Sequence, residues 1–235
     1  MLLKSQVALV TGAGRGIGRA ISLCFAREGA KVAVTGRTRE RRDRVAAEIV
    51  SAGGEAKGFA LDVLRDEQVI EAVREVLATW GQIDILVNNA GIIQYNRPVW
   101  DTTVEEWDET MGVNCRGTFL CCRAVTPHMM ERGRGVIINI CSASARIADD
   151  DYGPYAATKW AQAGYTTSLA RSVRPYGIRV NGINPGWVDT DMAREATPEG
   201  DEAWSTPEEL AEATLFLAAK APRDMTGQFL DIYGS

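Results

Sequence analysis

The chain has 235 residues, of which 46% are hydrophobic, and a formal net charge of −5. A chain of this length can bury one sizeable core, and its acidic balance argues against nucleic-acid binding. No uncharged apolar stretch of about 18 residues is present, so we expect no membrane span, and we expect no signal peptide at the N-terminus. The one basic run, residues 37–44, is interpreted as a solvated helix face.

Cysteine and histidine usage narrows the possible chemistry. The five cysteines are odd in number and form no CxxC motif, which is typical of a reduced, cytoplasmic protein. The single histidine, His128, argues against a metal site, and we interpret it as a partly exposed helix residue. A hydrolase would also need a nucleophile motif such as GxSxG, which the sequence lacks.

Short apolar runs alternate with amphipathic segments along the whole chain. The runs predict strands at 7–11, 31–36, 56–61, 83–89, 135–141, 179–185 and 228–232. The intervening segments predict helices at 17–28, 40–52, 67–80, 103–131, 155–174 and 207–219. This alternation indicates a single-domain, doubly wound α/β Rossmann fold, with a seven-stranded parallel sheet and helices on both faces. Pro127 is expected to bend or split the long helix after residue 103.

A glycine-rich turn, "TGAGRGIG", joins the first strand to the first helix. Its glycines are Gly12, Gly16 and Gly18, with Arg15 and Ile17 between them. The spacing GxxxGxG alone is a weak signal, but its position between a strand and a helix favours dinucleotide binding. Glycines let the backbone approach a pyrophosphate, and the helix N-terminus offers free N–H groups.

The end of the second strand bears on which dinucleotide is bound. An NAD enzyme usually has an acidic residue there for the ribose 2′-hydroxyl, whereas this chain has Gly36 and then Arg37. Arg37 could bind a 2′-phosphate, and Arg15 could reach the same group. We therefore predict NADP(H) rather than NAD(H); the alternative is that both arginines are surface charges.

Two further strand ends carry candidate cofactor residues. Asp62, followed by Val63, comes after the third strand, where its carboxylate could bind the adenine amino group. The segment "NNAG" (88–91) follows the fourth strand, so its asparagines, including Asn89, could tie strand ends together. Ala90 and Gly91 would then bring backbone close to the cofactor.

The segment "YAATK" (155–159) opens a predicted helix. Tyr155 and Lys159 are four residues apart and therefore share a face, whereas Tyr152 falls in the preceding loop. An ammonium group beside a tyrosine in a poorly hydrated site stabilises the phenolate. A Tyr–Lys pair at this spacing is common by chance, so this motif needs support from the rest of the chain.

That support comes from a resemblance. From about residue 4 to 231 the chain resembles the short-chain dehydrogenase/reductase family, in the order and spacing of "TGAGRGIG", "LDV", "NNAG", "VN", "INICS", "YAATK" and "NPGWVDT". The resemblance implies that Tyr155 is the acid/base, Ser142 orients the carbonyl oxygen, and Lys159 binds the ribose and assists Tyr155. Asn114 would hold a water that links Lys159 to solvent. Ser144 competes with Ser142, and Asn114 could serve only to satisfy backbone groups.

The resemblance also places the segment after the sixth strand beside the nicotinamide. Pro185, Gly186, Val188 and Thr190 match that segment. The lid that follows, about 187–206, is short, which predicts an open site unless Trp187 and Trp204 close it.

The substrate is left open by the sequence. We expect Gln94, Ser142, Ser144, Tyr152 and Trp187 to line its pocket. The chain resembles 3-oxoacyl-thioester reductases and, almost equally, sugar and polyol dehydrogenases. A small-molecule carbonyl or alcohol is therefore the expected substrate, and the resemblance implies a homotetramer. A non-catalytic dinucleotide sensor is the alternative of another class, which the presence of Ser142, Tyr155 and Lys159 disfavours.

Overall fold

One parallel sheet forms the centre of the computed structural model, which describes residues 1–95, 98–147, 153–201 and 203–234. Its strands are β1 (Val7–Val10), β2 (Lys31–Gly36), β3 (Glu55–Ala60), β4 (Ile85–Asn88), β5 (Gly135–Ile140), β6 (Ile178–Pro185) and β7 (Phe229–Ile232). They lie in the order β3-β2-β1-β4-β5-β6-β7, and every neighbouring pair is parallel. The predicted fold class is confirmed.

Helices cover both faces of this sheet. They are α1 (Gly16–Arg27), α2 (Arg39–Ser51), α3 (Asp66–Trp80), α4 (Val104–Thr110), α5 (Gly117–Arg132), α6 (Gly153–Val173), α7 (Asp191–Ala196) and α8 (Pro207–Leu215). Helices α1, α2 and α8 bury apolar side chains against one face, and α3, α5 and α6 against the other. Threonine capping boxes start α4 and α8, and a left-handed Gly133 ends α5. No helix within the described ranges is long and apolar enough to cross a membrane.

The predicted helix 103–131 is interrupted, but not where the sequence suggested. Helix α5 runs through Pro127 without a break, so the expected split at that residue is wrong. A proline removes a single backbone N–H, and the fully buried Val125 and Met129 hold α5 against the sheet on either side. The irregular stretch is instead a π-helical turn at Met111–Arg116, between α4 and α5.

The strand order reverses beside β1, which pairs with both β2 and β4. In open α/β sheets this switch point leaves a crevice at the carboxyl ends of the strands. The glycine-rich turn after β1 and "NNAG" after β4 therefore meet at the crevice. Val10, the last residue of β1, is in register with Val34 and Val87.

His128 lies far from this crevice and has a structural contact. Its Nε2 accepts a hydrogen bond from the backbone N–H of Ile83 at 3.3 Å, which requires the neutral imidazole. Partial burial, with the nearby Arg132 guanidinium, lowers the pKa of His128 below its usual value. We expect its stabilising contribution to be present above about pH 6.5 and to be lost as pH falls through the lowered folded-state pKa.

Urea unfolding of the wild type and of His128→Gln between about pH 5 and pH 7.5 would measure this contribution. The wild type should lose stability relative to the variant as the pH falls. If the difference in unfolding free energy between the two proteins stayed constant across this pH range, His128 would not couple protonation to folding.

Candidate active site

A cleft of about 530 Å³ opens at the carboxyl ends of the strands. Most of the residues predicted for cofactor and substrate line it: Gly12, Arg15, Gly16, Ile17, Arg37, Asn89, Ala90, Gly91, Ser142, Ser144, Tyr155, Lys159, Pro185, Gly186, Trp187, Val188 and Thr190. Five others described by the structure do not line it: Gly18, Asp62, Val63, Gln94 and Asn114. Tyr152 lies outside the described residues.

The glycine-rich turn has the backbone geometry that dinucleotide binding requires. Gly12 and Gly16 adopt left-handed conformations, with φ of 63° and 51°. Helix α1 begins at Gly16, and its N-terminus has no side-chain cap. Its first N–H groups can therefore bind a phosphate, and the turn fits a dinucleotide pyrophosphate.

Gly18 acts beneath this turn, in the packing of α1. A β-carbon there would lie 2.5 Å from both Asn89 Nδ2 and the Gly12 carbonyl oxygen. The Asn89 amide already donates to the carbonyl oxygens of Thr11, at 2.9 Å, and Gly12, at 3.2 Å. Gly18 thus lets α1 approach the strand ends closely enough for Asn89 to fix the turn.

Gly18→Ala should therefore weaken both folding and cofactor binding. The added methyl group must displace Asn89 or the turn, at a cost of about 1–3 kcal/mol of unfolding free energy. Gly164→Ala on α6 is the matched control, because its β-carbon meets no atom within 4 Å. Unfolding and cofactor titration would compare the two; equal stability of both variants would contradict the packing argument.

Three arginines line the cofactor side of the cleft: Arg15, Arg37 and Arg41. Arg41 was not among the predicted site residues, because the basic run was interpreted as a solvated helix face. The start of α2 places Arg41 beside the glycine-rich turn. A β-carbon on Gly14 would lie 2.9 Å from Arg41 Cβ. The guanidinium of Arg15 lies 3.7 Å from the carboxylate of Asp191, at the start of α7.

Asp62 and Val63 lie away from the cleft lining. The carboxylate of Asp62 accepts from the backbone N–H of Leu64 at 3.0 Å, and its own N–H donates to Gln68 at 3.1 Å. Val63 is buried against Gly117 of α5. In this structure both residues organise the turn between β3 and α3.

Tyr155 and Lys159 lie on one face of α6, and both line the cleft. The ammonium nitrogen of Lys159 is 5.3 Å from the centroid of the Tyr155 ring. Lys159 is only 4% exposed. A buried ammonium needs hydrogen-bond acceptors, and two are present: the carbonyl oxygen of Ile140 at 3.1 Å and Oε1 of Gln162 at 2.9 Å.

Ser142 follows β5 and caps the short helical turn after it. Its hydroxyl accepts from the backbone N–H of Ser144 at 3.2 Å, so the two serines that compete for one role are hydrogen-bonded neighbours. Cys141, beside them in the cleft, is a poor nucleophile because burial raises the pKa of its thiol to about 11.

Asn114 lies on the π-helical turn, with its side chain completely buried. Its amide exchanges two hydrogen bonds with the backbone of Ile92, each at 2.9 Å, and donates to Oγ1 of Thr158 at 3.1 Å. These contacts join the loop after β4 to α6, and thereby hold one wall of the cleft against the helix that carries Tyr155.

Aromatic rings stack across the segment that the sequence predicts to be a lid. Trp187 stacks on Trp204, with ring centroids 5.2 Å apart, and on Tyr95, at 6.2 Å. The Tyr95 hydroxyl donates to the carbonyl oxygen of Met192 in α7 at 2.6 Å. Trp187 lines the cleft and is still 39% exposed, so closure of the site by the two tryptophans stays a prediction. Gln94, which was predicted to line the substrate pocket, does not line the cleft and accepts a hydrogen bond from the hydroxyl of Thr110.

The cleft thus combines a glycine-rich turn with a phenol, an ammonium and a hydroxyl. Among the described residues no cluster of three or more His, Cys, Asp or Glu side chains could hold a metal ion. The groups present suit proton transfer beside a bound dinucleotide.

Known proteins are similar to this chain in sequence and in fold. The profile of the short chain dehydrogenase family matches residues 6–201. D-threitol dehydrogenase of Mycolicibacterium smegmatis is 38% identical, over 99% of this chain and 93% of its own length. The 3-oxoacyl-(acyl-carrier-protein) reductase FabG of Thermotoga maritima is 33% identical, over 100% of this chain and 98% of its own length.

Solved structures agree with the sequence matches. A dehydrogenase/reductase from Sinorhizobium meliloti 1021 superposes with a TM-score of 0.89 at 38% identity, covering 99% of this chain and 95% of that protein. The resemblance of the motifs is confirmed, and the chain belongs to the short chain dehydrogenase family of oxidoreductases, which use nicotinamide dinucleotides.

Proposed function

We propose that the protein is an NADP(H)-dependent oxidoreductase that interconverts a carbonyl group and a secondary alcohol by hydride transfer. One observation carries the proposal: Ser142, Tyr155 and Lys159 border the same cleft as the glycine-rich turn. A phenol, an ammonium and a hydroxyl beside a dinucleotide site supply what carbonyl reduction needs.

Each side chain has a role set by its position. In reduction the Tyr155 hydroxyl gives its proton to the carbonyl oxygen, and Ser142 donates a hydrogen bond to the same oxygen. The nicotinamide supplies the hydride when it is bound. The Lys159 ammonium stabilises the phenolate and holds the ribose. Asn114 is the position we propose for the water that links Lys159 to solvent.

The preference for NADP(H) over NAD(H) rests on charge. Arg37, which directly follows β2, and Arg41, in the first turn of α2, both line the cleft, and the residue after the strand is not acidic. Guanidinium groups bind phosphate with paired N–H donors, and an acid in this place would repel it.

A 3-oxoacyl thioester is the first substrate to consider. The lining that comes from the loops after β4 and β5 and from the lid is largely apolar, including Ile93, Ile147 and Met192. Such a wall suits an acyl chain, and one relative is a 3-oxoacyl-(acyl-carrier-protein) reductase. If the thioester is carried by an acidic protein, Arg132 and Arg134 are the residues we propose for its docking. Of the two, Arg134 is the more available, because Arg132 pairs with the buried Asp84 at 2.9 Å whereas the Arg134 side chain is exposed.

A polyol is the second candidate. It is favoured by the D-threitol dehydrogenase, which is 38% identical over nearly the full length of both chains. Polyol hydroxyls would need polar partners, and Ser142, Ser144 and Tyr155 are those that the described lining offers most directly.

We also propose a homotetramer in the cytoplasm. Exposed aromatic side chains lie on α4, α5 and α6: Trp107, Phe119 and Trp160 are each more than 40% exposed. Apolar surface of this kind is suited to burial between subunits. Light scattering would measure the mass in solution.

NADPH oxidation with a short 3-oxoacyl thioester, run beside NADP⁺ reduction with D-threitol, would test the function. Turnover of either substrate that disappears in Tyr155→Phe supports the proposal and selects the substrate. Tight dinucleotide binding without turnover of a wider carbonyl and alcohol panel would favour a non-catalytic sensor.

A further inference from the structure

A buried glutamine lies one turn beyond Lys159 on α6. Gln162 is 2% exposed, and its spacing of three residues places it on the same helix face as the ammonium group. A glutamine amide without partners is costly in a protein interior, so its hydrogen bonds show what it serves.

The amide oxygen of Gln162 faces Lys159. Lysine has three N–H donors and no acceptor. Two of those donors reach the Ile140 carbonyl oxygen, at 3.1 Å, and Gln162 Oε1, at 2.9 Å. With two directions fixed, the third donor is fixed as well, since the ammonium is tetrahedral. Lys159 borders the cleft, so that donor is available to a ligand.

The other end of the amide fixes its orientation. Nε2 of Gln162 donates to Oγ1 of Thr118 at 2.7 Å, and the Thr118 hydroxyl donates to the backbone oxygen of Asn114 at 2.8 Å. Because the Thr118 hydroxyl donates its one proton to the Asn114 oxygen, its own oxygen must accept from Gln162. The NH₂ group of Gln162 therefore faces Thr118, and its oxygen must face the ammonium.

We propose that Gln162 is a positioning residue for Lys159, which holds the ammonium so that one N–H points at the cofactor ribose. This inference deepens the proposed function and rests on the role of Lys159 in it. The sequence offers one signal for it, a polar residue three positions after the lysine, on a face otherwise occupied by Thr158 and Thr166.

Removing the acceptor oxygen should release the ammonium. In Gln162→Met, a variant of similar length, Lys159 keeps only the Ile140 oxygen in a buried site. The Kd for NADPH should rise about tenfold, as expected for one hydrogen bond to a charged group.

A double-mutant cycle in cofactor affinity tests the proposal without needing turnover. It compares the wild type, Gln162→Met, Lys159→Met and the double variant, with NADPH or NADH titrated by fluorescence. If Gln162 acts through Lys159, its replacement in the Lys159→Met background should change Kd by less than about twofold. A tenfold change in both backgrounds, or in neither, would overturn the proposal.

Two more variants separate positioning from stability. Gln162→Glu keeps an acceptor oxygen toward Lys159 and should restore cofactor affinity to within about threefold of the wild type. Thr166→Val removes a buried hydroxyl one turn further along α6, which does not touch Lys159, and should leave the affinity unchanged. If Thr166→Val lost as much cofactor affinity as Gln162→Met, any change on this buried helix face would have the same effect, and the positioning role of Gln162 would be wrong.

Failure of this proposal can be told apart from failure of the proposed function. If the wild type binds dinucleotide but turns over no substrate, the catalytic proposal fails while the affinity cycle still decides the role of Gln162.

Discussion

Replacing Tyr155 with phenylalanine should lower kcat by about 10³-fold, because general acid–base catalysis typically contributes a factor of this order. The Kd for NADPH should stay within about twofold, since the ring and its contact with the Lys159 ammonium are kept. Stopped assays over long incubations, together with cofactor titration, would measure both quantities.

The expected result follows from geometry. The tyrosine ring lines the cleft 5.3 Å from the Lys159 nitrogen, with Ser142 on the neighbouring wall. Losing the hydroxyl removes the proton donor to the carbonyl oxygen, and Ser142 cannot replace it, since a serine hydroxyl is a far weaker acid. The substrate and cofactor would still bind, but the developing alkoxide would receive no proton.

Tyr165→Phe is the matched control. Tyr165 lies on the same helix and packs against Phe119, with ring centroids 6.2 Å apart, but it does not line the cleft. Its pKa is raised by burial, so it is no acid/base at neutral pH. If both phenylalanine variants lost turnover equally, the loss would reflect damage to α6; if Tyr155→Phe kept full turnover, the acid/base assignment would be wrong.

The fold was predictable because its signals are local. Strands buried on both faces appear as continuous apolar runs, and the predicted strand 31–36 is the observed β2. The error at Pro127 shows the limit of local signals. A proline inside a helix costs one backbone hydrogen bond, but whether the helix breaks depends on the packing of residues such as Val125 and Met129, which the sequence does not reveal.

The candidate site was predictable only in part, for a similar reason. Gly12 and Tyr155 belong to motifs whose spacing is read directly from the chain. Arg41 lies beside Gly14 only in the folded chain, so no spacing marks it. Gln162 follows Lys159 by three residues, but its role depends on its contact with the distant Thr118 as well. Asp62 also has a contact that its position does not reveal, because one of its carboxylate oxygens accepts from the N–H of Leu64; its contact with the adenine stays a prediction.

The contacts of the predicted lid illustrate the same limit over a longer stretch of sequence. A count of residues between the sixth strand and α8 gives the length of the lid but not its contacts. The stacking of Trp187 between Tyr95 and Trp204 joins segments about a hundred residues apart in sequence. We expect such a stack to exclude water with few backbone atoms, so that a short lid could shield one end of the cleft.

Arg37→Asp should reverse the cofactor preference. The change replaces a phosphate-binding guanidinium with a carboxylate at the end of β2, so the Kd for NADPH should rise about 30-fold or more. The Kd for NADH should change by less than about threefold, or improve, because aspartate can accept from a ribose 2′-hydroxyl. Fluorescence titration with both dinucleotides would measure the two values.

The control is Arg39→Asp, two residues away. Arg39 is exposed, pairs with Asp43 at 3.3 Å and does not line the cleft, so it matches Arg37 in charge and exposure. A loss of NADPH affinity in both variants would indicate a general effect of net charge, which higher salt would screen. An equal loss of NADPH and NADH affinity in Arg37→Asp alone would mean that Arg37 does not contact the 2′-phosphate. Arg41, the other arginine at this edge of the cleft, would then be the residue to replace.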